Sequence, residues 1–131
     1  MSRKHFLSAL AALTSLAGTT TATTALAQSG PIKVGEVNSC KAQPAFLEPY
    51  KKGMELAVEE INAADGLLGR KVELTTRDDN ANPGDAVRAA EELVSREKVN
   101  LLTGPFLSNI GLALTDFARQ KKFFCLAWTA W

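Results

Sequence analysis

Histidine is nearly absent: the only one among 131 residues is His5, inside a cationic leader. A mature chain without histidine has no Ser-His or Cys-His nucleophile pair, no imidazole general base and few ways to build a zinc site. Cysteine is almost as scarce, with Cys40 and Cys125 alone. The glycine patterns that cradle phosphates, GxGxxG and GxxxxGK[ST], are missing, so a nucleotide site has no support. Beyond the leader, no apolar run approaches the roughly 20 residues of a membrane helix. Nor is there an excess of charge. Arg3 and Lys4 leave with the leader, so 13 basic residues face 14 acidic ones, a balance that selects neither nucleic acid nor an anionic membrane.

The leader is what the chain does have. Arg3, Lys4 and His5 are followed by an apolar run from Phe6 to Ala17 and by the small-x-small site Ala25-Leu26-Ala27. Residues 1–27 therefore read as a signal peptide, and 28–131 as one small exported domain whose simplest destination is the periplasm. Ser2 to Leu7 also resembles a twin-arginine motif with lysine in second place, although the ordinary secretory route is favoured. Cys40 lies too far past the cleavage motif for a lipoprotein anchor. An exported pair of thiols admits a disulfide, but Cys40 falls in a loop and Cys125 in an apolar strand, so both are expected to be unpaired.

The mature chain alternates strands and helices. Ile32 to Val37 is β-branched and flanked by Gly30-Pro31 and Asn38-Ser39, which predicts a first strand. After a loop from Cys40 to Glu48, a helix is expected to open at Pro49 and to place Tyr50, Met54, Ala57, Val58 and Ile61 on one apolar face. Gly66 is suited to end it, Leu67-Leu68-Gly69-Arg70 to turn, and Val72 to Thr76 to form a second strand. Asn82-Pro83 with Asp85 marks a second helix start, and Ala86, Val87, Ala90, Leu93 and Val94 form its buried stripe. Val99 to Thr103 is a third strand. A third helix, capped by Ser108 or Asn109, turns Ile110, Ala113, Leu114, Phe117 and Ala118 inward, and Phe123 to Trp128 is a fourth strand. Strands separated by such helices imply right-handed βαβ units: an α/β, parallel, doubly wound, Rossmann-like three-layer sandwich.

Three features could carry chemistry. Asp78-Asp79 at the end of strand two could hold a divalent metal in a small exported hydrolase, but acids there more often cap a turn. Gly104 to Ser108 joins strand three to helix three, where a helix N-terminus at the carboxyl edge of a parallel sheet favours an anion; Ser108 could equally be only a cap. Asn38 to Pro49 is a loop of about a dozen residues at that same edge, either functional or a plain connector.

The segments IKVGEVNS, PYKKGMELAVEEINAADGLLGRKVEL, RDDNANPGDAVRAAEELV and LLTGPFLSNIGLALTDFARQKK resemble, in order and spacing, the N-terminal lobe of type I periplasmic binding proteins of the leucine/isoleucine/valine type, the solute receptors of ABC importers. The resemblance spans about nine-tenths of the mature chain and implies a non-enzymatic, cofactor-free receptor. Two lobes would close on an amino acid or related small carboxylate and dock on an ABC permease in the inner membrane. It also implies Ser108 as the contact to the ligand's carboxylate, with Asn109 beside it and Thr129, just after strand four, completing the contact. A receptor-derived sensory module is a third possibility. The chain stops just after strand four, and both tryptophans lie in its last four residues, where the family has small residues and a turn. An incomplete first lobe from a truncated or frame-shifted gene is therefore expected, with ligand affinity far weaker than micromolar and strand four left as an uncovered apolar edge.

Overall fold

The computed structural model describes residues 30–127; residues 1–29, which include the expected signal peptide, and Trp128, Thr129, Ala130 and Trp131 lie outside the described residues. Strands and helices alternate as β1 (Ile32–Asn38), α1 (Pro44–Ala63), β2 (Val72–Asp78), α2 (Pro83–Ser95), β3 (Leu101–Gly104), α3 (Ser108–Lys121) and β4 (Cys125–Ala127). The sheet has the order β2-β1-β3-β4, and every pairing is parallel: Glu36 faces Thr76 on one side and Thr103 on the other, and Leu102 faces Cys125. With right-handed crossovers, the connection stepping from β1 to β2 and the two stepping the other way carry their helices to opposite faces. The expected doubly wound sandwich follows.

The core lies under α2 and α3. Val37, Ala86, Ala90, Leu93, Leu102, Ile110 and Leu114 are fully buried there, joined by Val99 and Phe117. Successive strand residues alternate faces, so Val37 points into this core while Glu36 and Asn38 point toward the α1 side. α2 starts as its sequence dictates: Asn82 Oδ1 accepts from the Gly84 and Asp85 amides at 2.8 and 3.1 Å, and Pro83 takes the first helical position, where a missing N–H costs nothing.

Several expectations change. α1 opens at Pro44 and runs through Pro49, so the connector after β1 is only Ser39 to Gln43, not a dozen residues. Two prolines competed for the first helical position, and the Gln43 carbonyl, accepting from Phe46 and Leu47, lays a helical turn ahead of Pro49. The stripe assigned to α1 is only half-buried, with Ala57 exposed, and the helix's one buried residue is Leu47, which the expected loop had contained. The helix lies against β2, an edge strand, and so looks partly onto solvent. Leu107, rather than Ser108 or Asn109, occupies the cap position of α3. β2 extends to Asp78, and β3 begins at Leu101 rather than Val99. β4 is shorter than the expected Phe123 to Trp128; Phe124, just before it, is 66% exposed and Leu126, within it, 57%.

Candidate functional site

The chain leaves β1 toward β2 on one side and returns through β3 on the other, so the carboxyl ends of β1 and β3 form the switch point of the sheet. In open parallel sheets this crevice receives ligands. One wall is the Ser39–Gln43 turn and the start of α1; the other is the Pro105–Leu107 loop and the start of α3. Ser108 and Asn109 are the first two residues of α3 and both are exposed, so the structure brings these two sequence-derived candidates to the crevice, at the positive end of a helix. Thr129 lies outside the described residues. Phe46 and Phe106, one from each wall, stack with ring centroids 5.7 Å apart. Gly104 makes the turn possible: at φ +100° a Cβ would lie 2.1 Å from the Val37 carbonyl oxygen, a contact that no side chain survives.

Beneath the rim lies a set of buried polar groups, of which sequence reading had singled out only Asp79. Glu36, Asn38, Ser39 and Asp79 are all fully buried. Asn38 Oδ1 accepts from the Ser39 and Phe106 amides at 3.1 and 3.0 Å. Its Nδ2 donates to Glu36 Oε1 at 3.2 Å, and Thr76 Oγ1 donates to Glu36 Oε2 at 3.0 Å. The available signal was the alternation of β1 itself: Val34, Glu36 and Asn38 share one face, and a strand flanked by others on both sides has no solvent for the two polar members.

Asp78 and Asp79 serve their own turn, as the bland reading held. Asp79 Oδ1 accepts from Ser39 Oγ at 2.6 Å and from the Ala81 amide at 2.8 Å, while Asp78 accepts from the Lys41 and Asn80 amides. Asp79 Oδ2 is buried without a hydrogen-bond partner. Burial pushes the Asp79 carboxyl above the usual carboxylate range, against the opposing pull of Ser39 and the Ala81 amide. Among the described residues no group of three His, Cys, Asp or Glu side chains is placed to hold a metal, so the hydrolase reading has no structural support. A separate shallow groove of about 190 Å³ lies between the ends of β2 and α2, lined by Arg77, Asp78, Asn80, Asp85, Arg88, Ala89 and Glu92. Its arginines already pair with Glu97 and Asp85, and it lies off the switch point.

The two thiols are free. Cys125 aligns through Leu102 with Gly35 of β1, five residues before Cys40. At about 3.3 Å per residue that separation along the strand far exceeds the ~7 Å that a disulfide tolerates. Both thiols are pushed up by burial, Cys40 further by the nearby Glu36, Asp78 and Asp79 carboxylates. No helix among the described residues is long and apolar enough to cross a membrane.

Comparison with known proteins gives this geometry a family. An amino acid binding protein of Pseudomonas aeruginosa is 40% identical over 68 residues, which are 52% of this chain and 18% of that protein. The Leu/Ile/Val-binding protein BraC3 of Rhizobium johnstonii is 31% identical over 86 residues, 66% of this chain and 23% of that one. Among solved structures, the branched-chain amino acid transporter substrate binding protein LivJ of Streptococcus pneumoniae, in complex with isoleucine, superposes with a TM-score of 0.70 at 27% identity, covering 77% of this chain and 30% of that one. The chain thus spans between about a fifth and a third of the length of these relatives. The periplasmic binding protein family model matches residues 31–131, about three-quarters of the chain, and the chain belongs to that family.

Proposed function

We propose that this chain supplies one wall of the ligand cleft in an extracytoplasmic solute receptor, binds a small carboxylate, and serves an ABC importer rather than a reaction. The observation that carries the reading is the exposed start of α3, Ser108 and Asn109, at the β1/β3 switch point. A helix N-terminus there favours an anion, and the stacked Phe46 and Phe106 offer an apolar surface beside it. The relatives support the same chemistry. Solved structures similar to this chain hold isoleucine or, in a solute binding protein of Rhodopseudomonas palustris at 26% identity and a TM-score of 0.66, 3,4-dihydroxybenzoic acid. Both ligands carry a carboxylate on an apolar body. Residues 1–27 act in this reading as the export signal, 28–131 form part of the first lobe, and Thr129 adds to the carboxylate contact. An amino acid of the branched-chain class is the ligand, and a permease in the inner membrane is the partner.

The test is a titration of isoleucine into isotopically labelled protein, followed by amide chemical shifts. Weak shifts, saturating only in the millimolar range and confined to Phe106–Ile110 and Ser39–Gln43, are expected. Ser108→Ala should abolish them, and isoleucinamide, which lacks the carboxylate, should leave them silent. Equal responses to acid and amide, or shifts centred on the Arg77–Arg88 groove, refute the reading.

A further inference from the structure

Ser108 is presented by a loop of three residues, Pro105–Leu107, which follows a glycine that has no side chain to anchor it. One strong tie holds that loop from below: the Phe106 amide, two residues before Ser108, donates to Asn38 Oδ1 at 3.0 Å. An asparagine amide has two unlike ends, and which end faces the loop depends on what its other end meets. Here that partner is Glu36. Glu36 Oε1 accepts from the Asn38 NH₂ at 3.2 Å and thereby turns Asn38 Oδ1 toward the Ser39 and Phe106 amides. Thr76, the register neighbour of Glu36 on β2, fixes the other carboxylate oxygen at 3.0 Å. The chain of bonds runs Thr76, Glu36, Asn38, Phe106 and crosses from β2 through β1 to the loop after β3.

We infer that Asn38, oriented by Glu36 and Thr76, is the positioning residue that sets the Phe106–Ser108 loop for carboxylate binding; this rests on the reading of Ser108 given above. A fully buried carboxylate is expensive, and an apolar residue of similar size is usually the more stable choice. Glu36 meets that cost with two donors, one of which is the amide whose orientation the loop depends on. Aspartate at position 38 cannot replace asparagine, because two acceptors would then face each other beneath the loop. Glutamine at position 36 can replace glutamate, because its carbonyl still accepts from Asn38 and its NH₂ can donate to the Thr76 hydroxyl.

The experiment combines amide hydrogen exchange with the isoleucine titration, on the full chain. Asn38→Ala should lower protection of the Phe106 amide roughly tenfold, as loss of one buried hydrogen bond does, and weaken the isoleucine response by a similar factor. Amides of Leu93 and Leu114 in the core should keep their protection. Thr76→Val, a mild change two links away, should move both readouts in the same direction by roughly twofold, and it keeps the test available if Asn38→Ala does not fold. Glu36→Gln should preserve both readouts, whereas Glu36→Leu should imitate Asn38→Ala. A parallel fall of Phe106 and core protection makes the relay merely structural and overturns the proposal. So does a loose Phe106 with an unchanged isoleucine response. If Ser108→Ala also leaves that response unchanged, the carboxylate reading falls and takes the proposal with it. If Ser108→Ala weakens it while Asn38→Ala and Thr76→Val do not, only the positioning role is lost.

Discussion

Removing the Ser39 hydroxyl perturbs a buried hydrogen bond to a carboxylate. Ser39 Oγ donates to Asp79 Oδ1 at 2.6 Å, both residues are fully buried, and the other carboxylate oxygen has no partner. After Ser39→Ala the carboxylate keeps the Ala81 amide at 2.8 Å and nothing replaces the lost donor. A hydrogen bond to a charged group is worth about 1.5–3 kcal/mol. For a domain of this size about 2 kcal/mol lowers Tm by roughly 8–16 °C. The sign of the pH dependence follows from burial. Asp79 is held above the ordinary aspartate range, so the folded state binds its proton more tightly than the unfolded chain, and stability falls as pH rises from about 3.9 through the folded pKa. Ser39 opposes that rise, so its removal lifts the folded pKa further and makes the fall deeper. The cost of Ser39→Ala should therefore be smallest in acid, near the ~1 kcal/mol of a neutral hydrogen bond, and should grow to a plateau near neutral pH. Urea unfolding followed by far-ultraviolet circular dichroism across that range measures it, with Asp79→Asn as the background in which the pH dependence must vanish. A cost below about 0.5 kcal/mol at neutral pH, or one that does not change with pH, would refute the reasoning.

Gly104→Ala must accommodate both φ +100° and a Cβ against the Val37 carbonyl; a loss of at least about 3 kcal/mol in urea unfolding is expected, and a change under about 1 kcal/mol would show that the loop rearranges freely. Leu93→Ala empties a fully buried site in the core and should cost about 2–5 kcal/mol by the same assay. Asn82→Ala removes an acceptor shared by two amides, and the expected loss of about 1 kcal/mol should appear without any change in the isoleucine titration. Cys40 and Cys125 should both be recovered as thiols by mass spectrometry without reductant. Because both are pushed upward in pKa, iodoacetamide should label them slowly at neutral pH and faster as pH rises; a bridged species would contradict the strand register.

The sheet was legible because its signals are local and redundant. α2 shows a cap, a first-turn proline, an acid and an apolar stripe all in agreement; the structure follows its start to the residue, while of the stripe Ala86, Ala90 and Leu93 are buried, Val87 and Val94 only half-buried, and Ala89 is buried besides. α3 shows its stripe but not its start, since Ser108 looks like a cap and is instead the first helical residue behind Leu107. α1 was misplaced by five residues because Pro44 and Pro49 offer the same local signal, and only tertiary contact with the β1 turn decides between them. The buried Glu36 and Asn38 were illegible as a pair. A polar residue in a strand ordinarily marks the solvent face, and only the pairing of β1 on both sides with α1 above removes that solvent. The place of Ser108 at the carboxyl edge of the sheet, where α3 begins, was legible from topology. The residues beneath it are linked through contacts 40 and 68 positions apart in the chain, which no local pattern contains.

One of the segments that carry the resemblance lies at the opposite end of the sheet from Ser108. GMELAVEEINAADGLLGRKVEL covers the later turns of α1, the Leu67–Arg70 turn and the start of β2, and Asn62 and Arg70 are engaged there. Asn62 clasps both the amide and the carbonyl of Val72, at 2.7 and 2.8 Å. Arg70 holds the Gly30 and Pro31 carbonyls, fixing the entry to β1, and Gly66 admits the Arg70 carbonyl so closely that a Cβ would lie 2.0 Å from it. These contacts set the register of β1 against β2, which is a requirement of the scaffold whatever the ligand. The crevice is a strand length away, about 20 Å at ~3.3 Å per residue, and its walls are Ser39–Gln43 and Pro105–Asn109. Identity to a relative in the α1–β2 block therefore transmits architecture and says little of specificity. A swap of the two rim segments between this chain and a Leu/Ile/Val-binding relative should move ligand preference with the rim, while a swap of Gly53–Leu74 should leave preference unchanged and alter only stability.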